Sequence, residues 1–281
     1  MPDSTGTLYI VATPIGNLSD FSPRAVTTLS QVDTILAEDT RHSMHLLHHF
    51  NIKTPMQAFH EHNEAHKAEN ICERLHAGEN LALISDAGTP LLSDPGYRLV
   101  NMAQDQSIRI VPIPGPSAPI TALSVSGLAT DRFVFEGFLP AKSTARKSRL
   151  HELGSENRSL IFFESPKRIL SCLQDMCEVF GGERLACVAR ELTKTYETIR
   201  RDSLVALVDW VSRDLNQQKG EFVVIVQGAP PTDANRQQAE MILRELLPLL
   251  SLKQAVAVTA KITQEKKNQI YELALQIKDQ I

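Results

Sequence analysis

SDAGTPLLSDPG, Ser85 to Gly96, follows the apolar run LALI at Leu81 to Ile84. The apolar run reads as a buried strand, and Tyr97, Leu99, Val100 and Ala103 beyond the stretch recur with helical spacing. The glycines and prolines between them therefore mark a long irregular loop joining a strand to a helix. In an open α/β sheet such a loop lies beyond the carboxyl end of a strand, where ligands bind. Gly88 lets backbone approach a ligand closely, Pro90 and Pro95 stiffen the turn, and Asp86 and Asp94 offer carboxylates to hydroxyls or amines. An ordinary surface turn uses the same residue types, so the neighbouring stretches decide between the two.

Two more strands end the same way. Ile108 to Ile113 runs into PGPSA at Pro114 to Ala118, and Leu8 to Ala12 runs into TPIGNLSD at Thr13 to Asp20. Three backbone-rich loops in one half of a chain predict a crevice. In the order TPIGNLSD, AEDTRHS, SDAGTPLLSDPG, PGPSA, FFESPKR, ARELTKTYE and KGEFVVIV, from about Leu8 to about Gly228, the chain resembles the tetrapyrrole methylase superfamily. The likeness is to its ribosomal RNA-modifying branch.

Composition sets the outer bounds. At 281 residues the chain has room for one large or two modest domains, each with its own core. Its net charge of -4 excludes a basic nucleic-acid coat. The charge is uneven: residues 1–115 hold 7 Lys and Arg against 13 Asp and Glu, and the remainder 22 against 20. Nucleic-acid contacts are therefore expected from local basic patches in the second half. The four cysteines, at 72, 172, 177 and 187, lack CxxC spacing and are expected to be reduced, buried and inert. No run approaches the ~20 apolar residues that cross a bilayer, and no secretory signal pattern opens the chain, so a cytoplasmic protein is expected.

Taken in order, Ser22-Pro23 caps a helix carrying Ala25, Val26, Leu29 and Val32. Thr34 to Ala37 is a strand ending in Glu38-Asp39-Thr40-Arg41, with Thr40 expected to cap the next helix through Phe50. Asp39 and Arg41 are candidates for ligand or substrate contact, or equally for pairing with each other. Eight of the nine histidines fall between His42 and His76. Without a HExxH or a closed Cys/His set no metal site is expected at His60, His62 and His66; His60, after the short strand Met56 to Phe59, is kept as a substrate contact. Residues 127–131 read as a linker.

Beyond the linker, Phe133, Phe135 and Phe138 begin a second α/β pattern. Its basic run Lys142, Arg146, Lys147 and Arg149 is either a solvated helical face or a phosphate-binding loop. Strands are expected at Leu160 to Phe163, Leu185 to Ala189, Thr195 to Arg200 and Phe222 to Val226, partly antiparallel. Pro166 is expected to start a helix to Phe180, and Val205 to Val211 to form another. Three helices, Asn235 to Leu250, Lys253 to Ile262 and Lys266 to Ile277, close the chain as a helix-turn-helix-like RNA contact or a plain helical cap.

The resemblance implies two α/β domains of the tetrapyrrole methylase type, 1–127 and 128–231, with a cofactor cleft between them, plus a small helical C-terminal segment, 232–281. It implies S-adenosylmethionine in the cleft, against Ile15, Asp86, Gly88, Thr89, Pro90, Ser117, Ala118, Phe163, Leu192 and Phe222. The first loop departs from the superfamily, whose members end it GPGD where this chain has IGNLSD; the departure speaks against a tetrapyrrole substrate. The reaction implied is methylation of a cytidine ribose 2'-hydroxyl in the decoding region of 16S ribosomal RNA, by a homodimer. Asp39, Glu164 and Glu191 are candidate bases, Lys194 a group favouring the alkoxide, and Arg41, Lys142, Arg146, Lys147 and Arg149 candidate RNA contacts. A small-molecule methyltransferase would need no basic run, and a non-catalytic ribosome-binding protein no pair of ligand loops.

Overall fold

The computed structural model describes residues 5–263 and 265–278, without the side chains of 61–63, 65–66 and 231–237. Five strands, β1 (Thr7–Val11), β2 (Thr34–Ala37), β3 (Met56–Ala58), β4 (Leu81–Ile84) and β5 (Arg109–Ile113), form a wholly parallel sheet in the order β3-β2-β4-β1-β5. Between and after them run α1 (Pro23–Gln31), α2 (Thr40–His49), α3 (Glu61–His76), α4 (Tyr97–Asp105) and α5 (Ala118–Val125). Alternation along β1 divides the core: Leu8 and Ile10 face the layer of α3 and α4, while Tyr9 and Val11 face α1 and α2. Because β4, β1 and β5 are adjacent, their three Gly/Pro loops emerge side by side at one edge.

The second sheet is mixed. It contains β6 (Phe133–Phe138), β7 (Ser159–Glu164), β8 (Leu185–Arg190), β9 (Thr198–Ser203) and β10 (Phe222–Val226) in the order β6-β7-β10-β8-β9, with only β6 and β7 parallel. One face is covered by α6 (Ser143–Glu152), α7 (Ile169–Phe180) and α8 (Leu204–Arg213), which bury Leu160, Phe162, Val188 and Val224. The other face, Ile161, Cys187, Ala189, Val223 and Ile225, meets Ile15, Ala122 and Leu123 of the first domain. One sheet thus serves two cores by simple alternation. The final helices, α9 (Pro231–Leu246), α10 (Leu252–Thr263) and α11 (Lys267–Lys278), enclose a core of their own around Leu243, Ala255, Ile270 and Ile277.

Several boundaries differ from expectation for local reasons. Ser22 does cap α1, its Oγ accepting from the Ala25 N–H. The cap of α2 is Asp39, not Thr40, because the Asp39 carboxylate accepts the Arg41 and His42 N–H groups. Helix α7 starts at Ile169 instead of Pro166; residues 165–168 form a turn closed by the Arg168 and Ile169 N–H groups on the Ser165 carbonyl. The edge strand starts at Thr198, since residues 191–197 are spent on a turn. Proline at its first position starts α9 at Pro231, earlier than Asn235.

Candidate functional site

The three loops of the first sheet are tied to one another by their backbones. Thr13 N–H donates to the Gly88 carbonyl at 2.8 Å and Gly88 N–H to the Thr13 carbonyl at 3.1 Å. The Thr89 hydroxyl donates to the Pro116 carbonyl at 3.0 Å, bringing in the third loop. Gly88 has φ +84°, and a Cβ there would stand 3.2 Å from Ile15 Cγ2. Only glycine meets both demands without strain. Asp86 reaches sideways, accepting the Asp39 N–H at 3.1 Å and so fixing the loop to the end of β2.

Between these loops and the second sheet lies a cavity of about 350 Å³. Ile15, Asp86, Gly88, Thr89, Ser117 and Ala118 line it from the first domain, and Phe163, Leu192 and Phe222 from the second. Pro90 is buried outside this wall. Phe222 borders the cavity but belongs to the core under the helices; by alternation it is Val223 that shares the first domain's side of the sheet. Sequence reading also missed Phe138. A bulge at Gly137, φ +66°, shifts the register of β6 between Phe135 and Gly137, and Phe138 lines the cavity 5.5 Å from the Phe163 ring.

These walls fit a sulfonium nucleoside. Apolar and aromatic side chains face a layer of loop backbone, and the buried Ser117 Oγ has no hydrogen-bond partner among the described residues. Backbone strain gathers here too. Leu91 and Ser93 in the β4 loop, and Glu191 and Thr193 after β8, have positive φ without being glycine. Strained backbone of this kind concentrates where a site demands it.

The four candidate catalytic residues separate. Asp39 lines neither this cavity nor the one beside it; its carboxylate is occupied as a helix cap, and the Arg41 N–H holds it below the usual carboxylate range. Glu164 borders the cavity; its Oε1 accepts the Ser165 N–H at 2.7 Å and pairs with Arg168 at 3.2 Å, while its buried Oε2 has no hydrogen-bond partner among the described residues. Glu191 stands behind the wall, accepting Lys194 Nζ and the Glu221 N–H, each at 2.9 Å. Burial works to raise its pKa, and these two donors outweigh it. Lys194 bridges Glu191 and Glu221 and lines the neighbouring cavity. Asp94, which the loop after β4 offers beside Asp86, is a further carboxylate at the site. It lines the main cavity, and burial pushes it up to about 6, with Asp86 adding to the rise and the Ser85 hydroxyl opposing it.

The basic run does not form a cationic face. Arg146 is 3 % exposed, its Nε donating to Asp175 Oδ2 at 2.6 Å and its remaining nitrogens to the Ala141 carbonyl and Ser171. Lys147 pairs with Glu178, and Arg149 with Glu136 and Glu152. Lys142, exposed at the N-cap of α6, keeps its charge toward solvent. Arg41 is also exposed, 3.6 Å from Asp39. His60 lines neither cavity, and the side chains of His62 and His66 lie outside those described. Among the described residues no helix is long and apolar enough to cross a membrane.

Comparison with known proteins agrees with this geometry. The family model Tetrapyrrole (Corrin/Porphyrin) Methylases matches residues 7–208, and a second, RsmI C-terminal HTH domain, matches 233–278. The chain is 54 % identical to ribosomal RNA small subunit methyltransferase I of Pseudomonas aeruginosa over 97 % of its own length and 98 % of that protein. It is 53 % identical to the Haemophilus influenzae protein of the same name, covering 98 % of each. Among solved structures, diphthine synthase superposes with a TM-score of 0.60 at 13 % identity, over 79 % of this chain and 90 % of that one. Cobalt precorrin-4 methyltransferase gives 0.56 at 14 %, over 79 % and 94 %.

Proposed function

Because the chain belongs to the tetrapyrrole (corrin/porphyrin) methylase family, we propose that it methylates ribosomal RNA of the small subunit from S-adenosylmethionine. The finer reading is transfer to a cytidine ribose 2'-hydroxyl in the decoding region of 16S RNA. The observation that carries it is the likeness running through the terminal helices as well as the two α/β domains. A small-molecule methyltransferase has no need of those helices, and a non-catalytic binding protein no need of the ligand loops that line the inter-domain cavity. A cytoplasmic homodimer follows from the same reading.

S-adenosylmethionine supplies a methyl group on a positively charged sulfur, a good leaving group, so the protein's share is alignment and proton removal. The cavity walls suit that share: Phe163, Phe138 and Leu192 form an apolar side for the adenine, while Gly88, Thr89 and Ser117 present backbone and hydroxyl groups. Bound there, the cofactor would supply the methyl group to the ribose oxygen, and the hydroxyl proton would pass to a carboxylate of this chain. Asp94 is the group we assign, since it faces the cavity and titrates close to neutrality. Mapping ribose methylation in ribosomal RNA from cells lacking the protein tests the reading. Loss of one 2'-O-methylcytidine in the small subunit, restored by the gene, is expected; an unchanged map would overturn it.

A further inference from the structure

Beside the inter-domain cavity lies a second, of about 300 Å³, enclosed by α2 and the loops that follow β1 and β4. Pro14, Leu18 and Leu46 give it apolar walls, and Ser43, His45 and Lys194 a polar side. The two cavities share Ile15, Asp86, Ala87 and Glu221 as a common wall. Ser43, which lines the second cavity only, is 3 % exposed, and its Oγ has no hydrogen-bond partner among the described residues. A buried hydroxyl without a partner is rare enough to require an explanation. The electrostatics narrow the ligand. Lys194 is already paired with Glu191 and Glu221, and Asp86 adds a further acceptor, so the rim favours a neutral group bearing N–H donors over a phosphate.

A flat heterocycle with an exocyclic amine satisfies all three features: the apolar walls, the unpaired hydroxyl and the acceptor-rich rim. The volume is at the lower end of the ~300–1,000 Å³ range of small-ligand sites, room for one nucleobase. We propose that this second cavity receives the base of the acceptor nucleotide, turned out of the RNA stack, so that its ribose lies at the shared wall. Unstacked bases held against side-chain planes and read along their edges are the usual means of sequence-specific RNA recognition. Ser43 is then a positioning residue that bonds the base edge. The inference rests on the reading of the chain as a ribosomal RNA methyltransferase.

Two variants test it, with small ribosomal subunits from cells lacking the protein as substrate and calorimetry for S-adenosylmethionine. Leu46→Trp fills the cavity and is expected to keep cofactor affinity while losing about 100-fold in kcat/KM through misplacement of the acceptor. Ser43→Ala, which disturbs the fold least, is expected to raise KM about fivefold with kcat nearly unchanged, the loss of one hydrogen bond. Wild-type KM in both folded variants would overturn the assignment while leaving the functional reading intact. A wild-type protein that transfers no methyl group to small-subunit RNA would instead overturn the functional reading, and this inference with it.

Discussion

Gly88 carries two constraints at once: a left-handed backbone that turns its carbonyl toward Thr13, and a Cβ position that would stand only 3.2 Å from Ile15 Cγ2. Gly88→Val is expected to abolish S-adenosylmethionine binding in a chain that still folds; calorimetry showing unchanged affinity would count against the site. Asp94 provides a different handle. Its folded pKa of about 6 lies above the ordinary 3.8, so the folded state holds this proton more tightly than the unfolded one. Stability from this group therefore falls as pH rises from about 4 to about 6 and is level above. Asp94→Asn removes that loss: its denaturation midpoint is expected to exceed wild type at pH 8 and to converge with it at pH 4, while methyl transfer falls at both. Neither residue's role was hidden in the same way. Gly88 was legible because a glycine between a strand and a proline has few uses, whereas the meaning of Asp94 depends on its burial, which no spacing encodes.

Helix α6 shows where a linear pattern misleads. Its four cations look alike in sequence, yet Arg146, Lys147 and Arg149 are taken up by carboxylates of α7, β6 and α6 itself, while Lys142 at the N-cap stays exposed. Arg146→Gln leaves Asp175 buried without its main partner and is expected to cost about 3 kcal/mol of stability, with no change in the salt dependence of RNA binding. Lys142→Gln, on the solvent side, is expected to leave stability untouched and to lower the slope of log K against log salt by about one unit or slightly less. Equal slopes for wild type and Lys142→Gln would remove α6 from the RNA surface. The strands themselves were legible. Thr34–Ala37, Leu81–Ile84 and Phe222–Val226 stand where continuous apolar runs put them. The bulge at Gly137 was not legible, because it depends on which neighbour β6 pairs with, and it decides whether Phe138 reaches the cavity.

The hydrophobic cluster around Leu243 and Ile270 is filled by α9, α10 and α11 from among themselves. A chain ending at residue 230 is therefore expected to bind S-adenosylmethionine with full affinity and to lose methylation of ribosomal subunits. Retained methylation would make the helices a passive cap. Ile15, Asp86, Ala87 and Glu221 stand between two chambers and belong to both. With cofactor proposed in one chamber and acceptor base in the other, any coupling across this partition is reciprocal. Whatever factor a bound cofactor adds to the grip on RNA, bound RNA must return to the cofactor. On the proposed assignment a spent cofactor, lacking the methyl group and its charge at that partition, is expected to hold the RNA with a different strength from a fresh one, which titrating RNA against the protein loaded with either form checks.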